Sequence, residues 1–300
     1  MRFGLVGTGY WARVTHAAGI IAEPNLELAG IWGRNPESAR ALAAGVGVRA
    51  FAELDEMFDN VDAIAFAVPP HVQVPIAMRA AEAGKHLLLE KPIATSSEDA
   101  ARLEAAVDAA GVASVVFFTG RFEAAEREWM ENAARRDDWD GGWALWLGSA
   151  FAPGSPFDTP WRHEKGGLWD VGPHAISMLS GALGRIVEVT ARPGRRDLVH
   201  LVLRHESGAT STASVTLEAP IAASGTWVTI WGPAGQSQMP VRLQSSSAAL
   251  STAARELVAA AGQPRPGHPC DVHFGRTVVD LLAEAERQVI AARLQEAGSA

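Results

Sequence analysis

Through the first 120 residues, short apolar runs alternate with amphipathic stretches. Segments 3–6, 27–32, 63–68, 86–89 and 113–118 are near-continuous apolar runs of strand length. The segments between them, 11–22, 36–44, 72–83 and 97–110, space their apolar residues as helices do. Strands buried on both faces and separated by helices predict a parallel sheet covered on both sides. Glu98 and Asp99 fall in the first turn of the 97–110 helix, where the helix dipole favours negative charge.

Past Gly120 the pattern changes. A polar helix over 121–136 leads through an Asp- and Gly-rich loop into longer strands that alternate apolar and polar positions: 143–151, 185–192, 198–204, 210–218 and 226–231. Ser207 and Gly208 read as a hairpin turn between two of them. Such alternation suits a mostly antiparallel sheet with one face open or partnered. Helices are predicted over 169–183, 251–261 and 271–295, and 263–269 is a proline-rich loop. The expected fold class is α/β: a doubly wound parallel sheet over 1–120, then an α+β domain with a large open sheet over 121–300.

Composition narrows the classes of function. Three hundred residues, 48% of them apolar, are enough for two domains with substantial cores. A net charge of -8 argues against nucleic acid or an anionic membrane as the main partner. The chain opens directly on a strand, without a basic segment followed by an apolar leader, and no apolar run is long enough to span a bilayer. The lone Cys270 excludes an internal disulfide, which fits a reducing cytoplasm.

Gly7, Thr8, Gly9, Tyr10, Trp11 and Ala12 follow the first strand and open a helix, a G-x-G-x-x-A form of the dinucleotide fingerprint. Gly7 allows the tight turn, Gly9 lets a pyrophosphate approach the backbone, and Ala12 permits close helix–strand packing. The helix N-terminus offers N–H groups and the positive dipole end to phosphates. The second strand ends at Gly33, Arg34 and Asn35. An NAD-preferring site has an acidic residue there to accept hydrogen bonds from the ribose. Gly33 in that place removes repulsion from a 2′-phosphate, and Arg34 can pair with one. The expected cofactor is therefore NADP in preference to NAD; the alternative for Arg34 is a solvated surface arginine. Val68 and Pro69, with Pro70, form a rigid turn beside the cofactor.

Glu90, Lys91 and Pro92 end the strand at 86–89. Lysine is rare here, the others being Lys85 and Lys165, and arginine supplies nearly all the positive charge. A lysine at a strand tip points to chemistry, because desolvation can change its protonation state as it cannot change arginine's. Pro92 limits the backbone and permits a cis bond that would aim the side chain. Further on, Gly166 and Gly167 lead into a helix expected to start near Trp169 or Asp170, with Pro173 in its first turn. Asp170 and His174 are four apart and share a face, so the acid can orient the imidazole as a general base. The plainer alternative is a capping aspartate and a structural histidine.

Taken in order, these elements resemble the glucose–fructose oxidoreductase / inositol dehydrogenase (Gfo/Idh/MocA) family. They are the 7–12 turn, Val68-Pro69-Pro70, the run from Ala83 through Lys85 and His86 into Glu90-Lys91-Pro92, Arg121-Phe122, the 166–174 stretch and Trp231 to Gly235. The resemblance implies a Rossmann domain followed by an α/β domain on a large open sheet. It also implies NAD(P)-dependent oxidation or reduction of secondary alcohols on sugars, inositols and related compounds. By residue, it implies that Lys91 contacts the reacting oxygen and that Asp170 and His174 serve the proton transfer. Glu90, Lys91 and Pro92 join residues 7–12, 33–35, Val68 and Pro69 as cofactor contacts. Arg121, Trp161 and Arg162 are candidate substrate contacts, with Arg162 either binding a substrate carboxylate or pairing with Glu164. Two positions depart from the family pattern: Gln73 stands where a histidine is common, and Lys165 precedes two glycines where three are frequent. No metal is expected. The resemblance further implies a homodimer or homotetramer through the open sheet. Redox-neutral chemistry of the NAD-dependent glycosidase type, or a non-catalytic dinucleotide-binding regulator, are the other functions compatible with these motifs.

Overall fold

The computed structural model describes residues 1–299. The chain divides into two compact units, the first formed by Met1–Glu123 with Gln244–Thr277, the second by Ala124–Leu243 with the chain from Val278 onward.

The first unit is built on β1 (Arg2–Val6), β2 (Glu27–Trp32), β3 (Arg49–Ala50), β4 (Ala63–Phe66), β5 (His86–Glu90) and β6 (Ser114–Phe117). They pair in parallel in the order β3-β2-β1-β4-β5-β6. Every residue of β4 and β6 is buried, including the polar Ser114 at the start of β6, as their largely apolar sequences imply. The strand order reverses between β1 and β4, and a crevice at such a switch point is where open α/β sheets hold their ligands. Two helices have the boundaries their sequence chemistry dictates. Helix Pro36–Val46 starts on an Asn35 cap and stops at Gly47 with φ 76°; helix Ser97–Ala110 starts on Ser96 and stops at Gly111 with φ 63°.

The second segment of this unit differs from the expected division, which gave everything past residue 120 to the second domain. Helix Ser246–Ala261 packs on the first helix of the sheet, where a side chain at Gly19 would come within 2.6 Å of the Ser247 carbonyl. Ser251 donates to the Gly19 carbonyl at 2.6 Å. The polar helix expected over 121–136 is two helices, Thr119–Phe122 and Ala124–Ala134, broken at an extended Glu123 that accepts the Gln244 N–H at 3.2 Å.

The second unit carries a six-stranded mixed sheet in the order β12-β11-β7-β10-β9-β8. Its strands are β7 (Gly141–Leu147), β8 (Ile186–Pro193), β9 (Val199–His205), β10 (Thr210–Thr216), β11 (Gly225–Gly232) and β12 (Gly235–Gln238). Only β7 and β10 pair in parallel. Burial alternates residue by residue along β9, as its sequence predicts. Helix Gly172–Leu183 covers one face, packing on β7, β10 and β11. The cross-strand register places Trp143 and Leu145 of β7, Val202 of β9 and Trp227 of β11 on the opposite face, where Val202 is 47% and Trp227 37% exposed. Among the described residues no helix is long and apolar enough to cross a membrane, and no cluster of His, Cys, Asp and Glu could hold a metal ion.

Candidate functional site

The first unit presents a glycine turn at the switch point. Gly7 has φ 136°, and a Cβ on it would lie 2.5 Å from the Ala67 carbonyl oxygen at the end of β4. Only glycine fits there without strain. Gly9 is the opposite case: a Cβ on it meets nothing within 4 Å. Helical residues 10–21 follow at once, with Ala12–Ala17 wound as a π-helix. A rigid turn, an open glycine and a helix start beside the β4 tip fit a dinucleotide pyrophosphate. Val68 and Pro69 continue directly from Ala67, and Pro69 leads into helix Pro70–Glu82.

At the tip of β2, a Cβ on Gly33 would fall 2.5 Å from the Thr8 methyl, so Thr8 crowds out a side chain there. Arg34 is exposed, and no hydrogen bond or ion pair of its side chain is found among the described residues. Asn35 is committed locally: its Oδ1 accepts the N–H groups of Glu37 at 2.9 Å and Ser38 at 3.1 Å.

Glu90 is the hub of the lysine loop. Its side chain is largely buried, and Oε1 accepts from Trp11 Nε1 at 2.6 Å and from His16 Nε2 at 2.8 Å. Oε2 accepts the Lys91 N–H at 3.1 Å. Gln73, fully buried, holds the same loop through its amide. Its Oε1 accepts the Glu90 N–H at 2.8 Å, and its Nε2 donates to the carbonyls of Glu90 at 2.9 Å and Ile93 at 3.3 Å. The Lys91–Pro92 peptide is cis. Glu90 thus braces the loop that carries Lys91, and Gln73 supplies both a donor and an acceptor to that backbone. Lys85 is structural, donating to the Val61 carbonyl at 3.1 Å. Arg121 lies over the Phe274 ring, 5.0 Å from its centroid.

Asp170 and His174 lie in the second unit, in a segment that departs from its expected course. One helix, Pro160–Asp170, is kinked at Gly166, which has φ 65°, and a second, Gly172–Leu183, follows Val171. The two glycines have separate reasons. Gly166 takes a left-handed conformation, while a Cβ on Gly167 would come within 2.5 Å of the Thr216 Cα in β10. Asp197 fixes this approach by accepting the N–H groups of Gly167 at 2.9 Å and Leu217 at 2.7 Å, and the Thr216 hydroxyl. Pro173 falls in the first turn of its helix, as expected.

Arg162 meets neither a free substrate site nor Glu164 in this arrangement. Its Nε donates to Asp170 Oδ2 at 2.8 Å and Nη2 to Oδ1 at 3.4 Å, while Nη1 reaches Thr159 Oγ1 at 3.2 Å. The guanidinium lies 4.9 Å from the centroid of the Trp161 ring. Arg162 is a clamp on Asp170, with Trp161 packed against it. His174 is half-buried and its ring stacks on Trp146, centroids 5.3 Å apart at 11°. Lys165, standing where a third glycine was expected, pairs with Glu286 at 3.6 Å.

Sequence reasoning missed His16, Trp146 and Asp197. Each acts through a partner distant in sequence, and a lone histidine, tryptophan or aspartate carries no spacing signal of its own. The role of Gln73 was visible only as a departure from a pattern.

A doubly wound parallel sheet with a crowded glycine, an open glycine and a helix start at its switch point defines a dinucleotide-binding Rossmann unit. The chain belongs to the Gfo/Idh/MocA oxidoreductase family: the family profile described as an NAD-binding Rossmann fold matches residues 1–118, and that of the GFO/IDH/MocA C-terminal domain matches residues 142–238. An uncharacterized oxidoreductase of Escherichia coli, YdgJ, is 27% identical over 219 residues, which is 68% of this chain and 62% of that protein. The UDP-N-acetylglucosamine 3-dehydrogenase of Acidithiobacillus ferrooxidans is 36% identical over 100 residues, 33% of this chain and 31% of that enzyme. Both matches therefore span less than two thirds of the relative's own length. Among solved structures, GenD2 from gentamicin A biosynthesis, in complex with NAD, superposes with a TM-score of 0.84 at 24% identity, over 97% of this chain and 94% of that one. The last likeness is one of fold.

Proposed function

We propose that this chain is an NAD(P)-dependent oxidoreductase that transfers a hydride between nicotinamide and a secondary alcohol or ketone of a sugar, polyol or related small molecule. The observation that carries this reading is a pairing within one unit. The turn at Gly7 and Gly9 can seat a pyrophosphate, and a braced loop presents Lys91 at the end of β5, two strands from the switch point. Sugar-dehydrogenase names among the relatives support the substrate class.

Bound nicotinamide would supply the hydride acceptor or donor. In this reading Lys91 stabilises negative charge developing on the substrate oxygen or shares its proton. His174 takes the hydroxyl proton, and its stacking on Trp146 fixes the plane of the ring. Asp170 keeps the positioning role, with Arg162 fixing its carboxylate. NADP is the preferred cofactor, supported by the crowded Gly33 and the uncommitted Arg34. The half-exposed Trp and Val residues on the open sheet face support a homodimer or homotetramer through that face.

The test is a screen of polyols, sugars and dihydrodiols with NADP and NAD, read at the absorbance of the reduced cofactor. Lys91→Ala should lower turnover roughly 10²- to 10⁴-fold while dinucleotide binding persists. Turnover retained within a few-fold would make Lys91 structural. Product formation without net cofactor reduction would move the chain to the redox-neutral class.

A further inference from the structure

Trp11 and His16 reach the same oxygen of Glu90, at 2.6 Å and 2.8 Å, although they are five residues apart on one helix. In an α-helix, side chains five apart point about 140° away from each other, at 3.6 residues per turn. They could not both converge on one carboxylate oxygen. The π-helical turn Ala12–Ala17, which begins just after Trp11, changes that: its wider i→i+5 winding brings residues five apart toward the same side of the helix. The irregular turn is what lets the helix that opens at the glycine turn hold Glu90 with two donors at once.

The rest of the arrangement gives this link a direction. Trp11 is the fifth residue of the G-x-G-x-x-A turn, so its backbone belongs to the proposed pyrophosphate cradle. The other oxygen of Glu90 accepts the Lys91 N–H. Gln73 clamps the Glu90 backbone from helix Pro70–Glu82. The Glu90 side chain thus connects the cradle to the lysine loop. His16 is fully buried, set edge-on to Phe117 with centroids 6.0 Å apart, and its Nδ1 has no hydrogen-bond partner among the described residues. A buried histidine that spends its single strong hydrogen bond on Glu90 is costly for a merely structural role.

We propose that Trp11 and His16 are positioning residues that act through Glu90 to couple dinucleotide binding at the glycine turn to the placement of the Lys91 amine. The inference rests on the dinucleotide-dependent reading above and concerns the first unit alone. When the phosphates settle the first helical turn, the Trp11 indole and the His16 imidazole fix the Glu90 carboxylate. That carboxylate then fixes the backbone of Lys91.

Only three lysines occur in the chain, so the coupling can be read directly by amine modification followed by mass spectrometry, with Lys85 and Lys165 as internal references. The full-length protein, with and without saturating NADPH or NADH, is compared with Trp11→Phe, His16→Gln, Glu90→Gln and Trp11→Phe/Glu90→Gln. In the parent protein, dinucleotide should change the Lys91 modification rate by about fivefold or more, the lower end of ordinary coupling between sites, with Lys85 unchanged. Trp11→Phe, which removes the indole N–H donor and keeps an aromatic ring in a part-buried position, should cut that response to within about twofold when each variant is measured at its own saturating dinucleotide concentration. His16→Gln and Glu90→Gln should do the same, and the double variant should lose no more than Glu90→Gln alone. If His16→Gln fails to fold, Trp11→Phe decides. A parental Lys91 response in Trp11→Phe, an equal change at Lys85, or dinucleotide binding with no Lys91 response in the parent protein would each overturn the coupling and leave the oxidoreductase reading standing. Failure of the parent protein to bind either dinucleotide would overturn both.

Discussion

Arg162 holds Asp170 by two points, Nε to Oδ2 at 2.8 Å and Nη2 to Oδ1 at 3.4 Å, with side chains only 17% and 10% exposed. Removing one partner from such a pair leaves a poorly solvated charge. Arg162→Ala is expected to cost about 3–5 kcal/mol of unfolding free energy, measured by urea denaturation. Arg162→Lys keeps the charge but not the planar fork, so it should fall between parent and Ala. Kinetics separate the roles. A substrate-binding arginine would raise KM and leave kcat unchanged, whereas a clamp on Asp170 should lower kcat with KM nearly constant. A pure KM effect would return Arg162 to the substrate contacts.

Gly7 and Gly9 should respond oppositely to the same substitution. Gly7→Ala places a Cβ at φ 136° and 2.5 Å from the Ala67 carbonyl, so it should lower stability by about 1–3 kcal/mol. Gly9→Ala meets no protein atom within 4 Å and should leave unfolding within about 0.5 kcal/mol of the parent. If phosphates approach the Gly9 backbone, the new methyl blocks them, and dinucleotide affinity should drop about tenfold or more, roughly 1.4 kcal/mol. Titration with NADPH monitored by its fluorescence reads this directly. Unchanged affinity in Gly9→Ala would place the cofactor elsewhere.

How far these features could be read from the chain depended on range. The strands of the first sheet other than β3 were legible because each carries a short, largely apolar run. The Asn35 and Ser96 helix starts and the Gly47 and Gly111 stops are likewise local chemistry. β3, two residues long, and β12, four residues, are too short to carry a period. The return of residues 244–277 to the first unit was invisible, since the apolar stripe of helix Ser246–Ala261 says that it is buried but not against what. Lys91 stood out by scarcity, and Glu90 by adjacency, but the carboxylate's partners Trp11 and His16 lie 79 and 74 residues away. Of the two readings open for Arg162, a substrate carboxylate or Glu164, the structure shows a pairing with neither but with Asp170. Glu164 was nearer in sequence, whereas the kinked helix brings Asp170, eight residues on, to the guanidinium.

His205 should make stability fall in acid. It is buried between Gly184 and Ser211, with Nδ1 2.7 Å from the Gly184 carbonyl and Nε2 2.8 Å from the Ser211 hydroxyl. The carbonyl can only accept, so Nδ1 carries the proton and neutral Nε2 accepts from Ser211. Burial pushes the imidazole below its ordinary value of 6.5, partly offset by the bond to Gly184. With the folded value lowered, the neutral form is favoured in the native state. Its contribution is full above pH 6.5 and is lost as pH falls through the folded value. The slope from this residue is at most about 1.4 kcal/mol per pH unit. His205→Gln, which can still donate and accept, should flatten the stability profile below pH 6.5. His86 shifts in the same direction, again chiefly through burial, so the acid slope should diminish in His205→Gln without vanishing. A profile in His205→Gln parallel to the parent's would show that the native state takes up the proton at no cost.

In the proposed reading, Arg34 favours NADP over NAD. The side chain is exposed at the tip of β2, and a Cβ on the neighbouring Gly33 would lie 2.5 Å from the Thr8 methyl. An adenosine 2′-phosphate would meet a guanidinium there and no carboxylate. A charge-assisted hydrogen bond contributes about 1.5–3 kcal/mol, so Arg34→Ala should weaken NADPH roughly 10- to 100-fold and NADH little. Gly33→Asp should act in the same sense by restoring the repulsion, at some cost in stability because the new Cβ presses on Thr8. Replacing Thr8 by serine in the same chain removes the methyl and should recover part of that stability without restoring NADPH. KM and dissociation constants for both dinucleotides across the three variants provide the check. Equal losses for NADPH and NADH in Arg34→Ala would make Arg34 a surface residue and remove the basis for preferring NADP.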